Sequence, residues 1–221
     1  LFLYHVHGCQ AVDEELLAEV RMCPKVPDFR KFIAEIPDLG RRLKVASPCV
    51  GVHACGEALK VMGVPTDSNN IYDLDNGYAG ALLQQLTEAG MQSVTMHLGK
   101  KAGNLLNTRL QDLETPVDLL IAGPPCPPWA GNGKKRGLCD DRGKVFLRIL
   151  MWLFYFVKCA GLLGCILENV LGITFSHGGV ESTMSIFLRC LKNFMPEFAW
   201  SVDILKATDY LLPHTRVRVF L

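Results

Sequence analysis

An α/β fold with a largely parallel sheet is predicted by three features of the sequence. Short apolar, β-branched runs alternate with stretches of helical periodicity from Arg41 onward. One apolar run, residues 117–122, has the length and branching of a buried parallel strand. Glycines punctuate the repeat, with Gly63 and Gly90 each closing a helical stretch.

Taken in order, residues 1–40 differ from the rest and read as an N-terminal extension. Residues 13–22 have helical spacing, with Leu16, Leu17 and Val20 on one side, and Pro24, Pro27 and Pro37 interrupt the residues beyond it. The alternation then begins. Residues 44–50 read as a strand, 54–62 as a helix, 70–74 as a strand, 78–89 as a helix and 93–98 as a third strand. Residues 117–122 are the fourth. Residues 142–159 form a long helix, because Val145, Phe146, Ile149, Leu150, Leu153, Phe156 and Val157 recur at helical spacing. Residues 165–167 are a fifth strand ending at Glu168, 180–193 are helical, 200–205 are strand-like, and 217–221 close the chain as a strand. Repeated βα units imply helices on both faces of the sheet.

The 221 residues suffice for one large domain with a real core. The chain begins at Leu1 rather than Met and reads as a piece of a longer protein. Net charge is +1, so no strong overall field draws it to nucleic acid, and any such contact must come from local patches. Nine cysteines occur without a Cys-x-x-Cys pair and at no usual zinc spacing. They read as reduced thiols of an intracellular protein, nuclear if the source is eukaryotic, with no metal site. No signal peptide is evident. The longest apolar run, 149–157, is too short to span a bilayer.

Chemistry concentrates at strand ends, where open α/β sheets gather their ligands. The fourth strand runs into Gly123-Pro124-Pro125-Cys126-Pro127-Pro128-Trp129. Residues before proline are pushed out of the α region, so the backbone around the thiol is stiff and non-helical. A stiff loop can hold a nucleophile in place, although a cysteine at a strand end can equally be structural. The fifth strand ends in Glu168-Asn169-Val170, again a polar pair after an apolar run. Arg216 and Arg218, two residues apart on the last strand, point to the same face. The basic run Lys134-Lys135-Arg136 comes after the cysteine in a glycine-rich loop, where phosphate contact is expected and Gly131 and Gly133 would supply mobility.

Together these stretches resemble the cytosine-5 methyltransferases. That family writes Pro-Cys-Gln-Pro-Phe-Ser around its nucleophile; here Pro127, Trp129 and Ala130 replace the glutamine, phenylalanine and serine. Glu-Asn-Val is present without substitution. Gln-x-Arg-x-Arg appears with His214 in place of the glutamine. The three occur in the family's order, and the likeness runs from about Arg41 to Leu221, a partial catalytic domain. The resemblance implies a Rossmann-like S-adenosylmethionine-dependent methyltransferase fold, mostly parallel, with an antiparallel last strand.

It further implies methyl transfer from S-adenosylmethionine to carbon 5 of a flipped cytosine in DNA. Cys126 would attack carbon 6, and Glu168 would hydrogen-bond the ring nitrogen and amino group. Arg216 and Arg218 would contact phosphate and the catalytic base, with Arg218 on the base side. For the cofactor, Gly51 is the one glycine kept from the family's Phe-x-Gly-x-Gly-Gly turn, and Pro125 belongs to the Pro-Pro-Cys loop. Asp73 is the candidate for the ribose hydroxyls. Asn104, in a Gly-Asn-Leu version of Gly-Asp-Ile, is the candidate for the adenine amino group.

A tRNA-methylating branch shares these motifs, so RNA is an alternative target. The altered glycine turn leaves a second alternative, a catalytically weak or inactive methyltransferase-like binding module. An NAD-type oxidoreductase is disfavoured, because no Gly-x-Gly-x-x-Gly comes after the first strand. The family's target-recognition region and final motif, which lie beyond the Arg-x-Arg strand, are not in the sequence, and oligomeric state is not readable from it.

Overall fold

The computed structural model describes residues 10–12, 41–51, 54–88, 90–177, 181–210 and 214–221. The helix expected over 13–22 lies outside the described residues. In chain order the elements are β1 (Gln10–Val12), β2 (Leu43–Pro48), α1 (Ala54–Val61), β3 (Thr66–Asp73), α2 (Ala79–Glu88), β4 (Val94–Leu98), α3 (Gly99–Ala102) and β5 (Leu119–Ala122). They continue with α4 (Asp141–Cys159), β6 (Gly164–Val170), β7 (Phe175–His177), α5 (Thr183–Phe194), β8 (Asp203–Lys206) and β9 (Val217–Phe220). The chain divides into two compact units, one of Pro27–Gly123 and Met151–Ile166, the other of Leu1–Val26, Pro124–Leu150 and Leu167–Leu221.

The first is the parallel-strand unit. Its strands run in the order β4-β3-β2-β5, and β2 pairs parallel with both β3 and β5, as does β3 with β4. The helices bury the apolar stripe that their spacing predicts. Leu59 of α1 packs with Leu43, Val45, Val64 and Leu119, and Leu82 and Leu86 of α2 pack with Ile71 and Met91. Each such side chain stabilises the fold by about 1.5–3 kcal/mol.

β3 begins four residues before the expected 70–74. Thr66, Asp67, Ser68 and Asn70 are buried, so the strand lacks the apolar signature that would reveal it. Asp67 and Asn70 find partners elsewhere in the chain, whereas the buried Ser68 hydroxyl has none among the described residues. Asp67 accepts from Arg42 Nε and Lys44 Nζ at 3.0 Å and from the Gln92 and Ser93 amides at 2.8 and 3.2 Å. Burial pushes this carboxyl up, but those donors outweigh it and hold it down at about 2. Asn70 takes a left-handed φ of 57° at a register shift, and its amide exchanges two 2.8 Å hydrogen bonds with the Glu114 backbone. Asp118, at the foot of β5, accepts a fork from Arg41 with both contacts at 2.7 Å.

The second is the cysteine-loop unit. β9 pairs antiparallel with both β6 and β8, which is the antiparallel last strand expected from the sequence. β6 extends to Val170, so Glu168 and Asn169 lie within the strand rather than past its end; they stand opposite Phe220 and Val219. The tripeptide β1 pairs antiparallel with β7. α5 starts at Thr183, capped by Ser182, whose hydroxyl accepts from the Ser185 amide at 3.1 Å. Phe146 of α4 and Phe187 of α5 meet at 4.4 Å in the core between these helices.

Candidate active site

In the cysteine-loop unit, Cys126 leaves the strand end in a half-buried turn. Its carbonyl accepts from both the Trp129 and Ala130 amides at 3.0 Å, which folds the loop back on the cysteine. Asn169 reaches the same loop, donating from Nδ2 to the Pro124 carbonyl at 3.3 Å. That contact ties the Glu-Asn-Val strand to the Pro-Pro-Cys turn. Pro125, between them, is half-buried.

Glu168 is met from β9. Arg218 Nε lies 2.7 Å from Glu168 Oε1, and the Arg216 guanidinium lies 3.8 Å from the same oxygen. The Glu168, Arg218 and Arg216 side chains are 30%, 23% and 58% exposed, so Arg218 holds Glu168 in a partly desolvated pair while Arg216 stays in solvent. Two arginines on alternate residues thus share a face, as their spacing predicts, but they differ in role. A partly buried, hydrogen-bonded pair fixes a carboxylate more firmly than an exposed one.

At Gly133 a Cβ would stand 2.0 Å from the Pro127 carbonyl oxygen, and its amide donates to the Ala130 carbonyl at 2.9 Å. Glycine here permits a close backbone approach. Gly131 faces open space. Lys134 and Arg136 are exposed, available to an anionic partner. Arg142, in the first turn of α4, is forked onto Asp140 with contacts of 2.9 and 2.8 Å. The Asp140 carboxylate and, more weakly, the charge of a Cys126 thiolate raise its pKa, so this guanidinium stands within electrostatic reach of the thiol.

Three of the four expected cofactor residues lie in the parallel-strand unit, Gly51 after β2, Asp73 at the end of β3 and Asn104 after α3. Cys49 and Gly51 have left-handed φ values of 57° and 52°, which turn the chain sharply after β2. Val52 and His53 of that turn lie outside the described residues. The Gly51 amide donates to Asp73 Oδ2 and the Asp75 amide to Asp73 Oδ1, both at 3.0 Å. Each carboxylate oxygen can accept a second hydrogen bond, so Asp73 can still take hydroxyls. A Cβ on Gly103 would stand 1.8 Å from the Asp73 carbonyl oxygen, so only glycine fits there. Asn104 Oδ1 accepts from the Leu106 amide at 3.1 Å, which leaves one lone pair for a ligand. The left-handed glycine turn and the carboxylate at the next strand end fit a ribose-bearing cofactor. Burial and the nearby Asp73 push the Cys49 thiol up to about 12, which keeps it inert.

Four features around the loop have no motif of their own in the sequence: the Asn169 link to Pro124, Arg142, Thr183, whose Oγ1 accepts from Trp129 Nε1 at 3.0 Å, and Gly172, where a Cβ would stand 2.1 Å from the Trp129 carbonyl oxygen. Thr183 comes directly after Ser182, whose position ahead of a periodic apolar run is an N-cap signal. The tight fit of Gly172 has no local sequence sign.

A family model described as C-5 cytosine-specific DNA methylase matches residues 95–221, more than half of the chain. The type II methyltransferase M.DsaV of Dactylococcopsis salina is 35% identical over 104 residues, covering 47% of this chain and 27% of that protein. M.AquIA of Picosynechococcus sp. is 34% identical over 110 residues, covering 48% of this chain and 42% of that protein. M.Eco47II of Escherichia coli is 27% identical over 178 residues, covering 70% of this chain and 40% of that protein. The chain therefore spans less than half the length of these relatives.

Proposed function

The chain belongs to the C-5 cytosine-specific DNA methylase family, and from that premise we propose that it carries the catalytic part of a DNA cytosine-5 methyltransferase. Residues 41–221 are the partial catalytic domain in this reading, and residues 1–40 are an extension of it. The observation that carries it is the cluster within one unit: the Cys126 turn, the Asn169 tie to Pro124, and the Glu168–Arg218 pair at 2.7 Å.

Carbon 5 of cytosine is a poor nucleophile, and Cys126 changes that. Its thiolate forms a bond to carbon 6, and the electrons displaced onto the ring make carbon 5 enamine-like. Glu168 in its protonated form gives its proton to the ring nitrogen as charge builds there, and its other oxygen accepts the exocyclic amino N–H. Arg218 holds that carboxyl in place, and Arg216 is left to meet phosphate. Bound S-adenosylmethionine supplies the electrophilic methyl group that carbon 5 takes up. Gly51, Asp73 and Asn104 of the parallel-strand unit would hold that cofactor, with Asp73 on the ribose. Water takes the carbon 5 proton, whose electron pair returns to the ring as the carbon 6–sulfur bond breaks to restore the thiolate, and the ring-nitrogen proton goes back to Glu168. The base must leave the duplex for this, and Lys134 and Arg136 are available to hold the backbone around it.

The test is two-stage. Titration calorimetry with S-adenosylmethionine should give micromolar binding. A duplex carrying 5-fluorocytosine should then be trapped on Cys126, seen by mass spectrometry, whereas an equivalent RNA should not. Binding without trapping on either nucleic acid would favour a methyltransferase-like binding module instead.

A further inference from the structure

Trp129 lies three residues beyond Cys126, and the turn between them closes on the cysteine carbonyl at 3.0 Å. Whatever fixes Trp129 therefore fixes the backbone that carries the thiol. The side chain is 7% exposed, with its ring edge-on to Phe146 at 5.6 Å. Its indole Nε1–H donates to Thr183 Oγ1 at 3.0 Å. The backbone is equally confined, because a Cβ on Gly172 would stand 2.1 Å from the Trp129 carbonyl oxygen. Gly137, left-handed at φ 52°, covers the bond: its Cβ position lies 3.5 Å from Nε1 and 3.9 Å from Thr183 Oγ1.

A buried indole N–H needs an acceptor, and leaving it without one costs about 1–3 kcal/mol. Phenylalanine could fill the same slot but could not use the hydroxyl. Thr183 is itself held in place, as the first residue of α5 behind the Ser182 cap. The hydrogen bond thus joins the nucleophile loop to a capped helix start.

We propose that Thr183 is a positioning residue for the nucleophile, holding Trp129 and, through it, the Cys126 loop in the reactive placement. This rests on the reading of Cys126 as the methylation nucleophile. Thr183→Val keeps the shape and removes the acceptor. Thr183→Ser keeps the hydroxyl. Trp129→Phe keeps a ring and removes the donor.

Two rates are measured on the whole chain: Cys126 trapping on a 5-fluorocytosine duplex with S-adenosylmethionine, and iodoacetamide alkylation of Cys126 relative to the exposed Cys159. Thr183→Val and Trp129→Phe should each slow trapping about tenfold at saturating duplex, with the half-saturating duplex concentration unchanged. The double variant should be no slower than either single one, and Thr183→Ser should stay within about twofold of the parent. Unchanged trapping in Thr183→Val, or additive losses in the double variant, would overturn the proposal. If Thr183→Val does not fold, Trp129→Phe reads the same bond. If the parent chain itself traps no cytosine, the methylation reading falls and alkylation decides the anchor. A Cys126-to-Cys159 ratio shifted about threefold in Thr183→Val sustains it, and an unshifted ratio sinks it.

Discussion

The two units use their polar residues in opposite ways. In the parallel-strand unit, the most buried charges serve the fold: Asp67 gathers Arg42, Lys44 and two amides, and Asp118 takes the Arg41 fork. In the cysteine-loop unit, polar contacts gather around one loop and the strands beside it, through Glu168–Arg218, Asn169–Pro124 and Trp129–Thr183. Burial alone therefore does not mark the residues that do chemistry. A charge satisfied on every side is finished, whereas a charge held by one partner keeps capacity for a substrate.

The comparison breaks first at Cys126. Cys126→Ala should lower methylation at least about a thousandfold, because no other group supplies the bond to carbon 6. The melting temperature should hardly move, since the thiol is only half-buried. A thermal melt that drops sharply in this variant would assign the cysteine to the fold instead.

The opposite pattern is expected for Asp67. Asp67→Ala leaves Arg42 and Lys44 facing a buried gap and should cost about 3 kcal/mol, a fall in Tm of about 6–12 °C. In the parent chain the sign of the pH effect comes from the carboxyl being held at about 2, below its ordinary 3.8. The stabilisation is complete above about pH 4 and is lost as the pH falls through about 2. Acid titration of Tm checks it, and Asp67→Ala should flatten that part of the curve.

These two regions also explain which features were legible in the sequence. The cysteine loop, the Glu-Asn-Val triplet and the Arg-x-Arg strand were legible because their chemistry needs particular residue types at fixed spacings. β5 and α4 were legible from apolar runs and periodicity. The first half of β3 was not, because Thr66, Asp67, Ser68 and Asn70 are buried polar residues, and the partners of Asp67 and Asn70 lie far along the chain. The end of β6 is hidden for a related reason: Glu168 and Asn169 have the polarity of a strand terminus, yet β9 pairs with both. The close approach at Gly133 has no sequence sign, because the Pro127 carbonyl that stands against it is set by the fold of the loop.

A smaller effect separates the two arginines. Arg218→Ala removes the 2.7 Å partner of Glu168 and should lower kcat about thirtyfold. Arg218→Lys keeps the charge but not the planar fork and should lose about fivefold. Arg216→Ala, with its guanidinium 58% exposed and 3.8 Å from the carboxylate, should act mainly on DNA affinity. Its mark would be a shallower salt dependence of binding with kcat unchanged. Equal kcat losses for both arginines would erase the distinction drawn from their exposure.

The smallest effect tests whether the parallel-strand unit has a working site at all. Asp73 accepts one amide on each oxygen, so its remaining lone pairs are what a ribose would use. Asp73→Asn keeps the shape but turns one oxygen into a donor facing a backbone N–H. S-adenosylmethionine should then bind about tenfold more weakly by calorimetry, the loss of one charge-assisted hydrogen bond. Cys126 alkylation should not change, because the substitution lies in the other unit. Because the Gly51 turn leans on the same carboxylate, Asp73→Ala should weaken binding further than Asp73→Asn. If instead both variants bind the cofactor as the parent does, the turn after β2 is a structural bend, and the cofactor contacts belong to other residues.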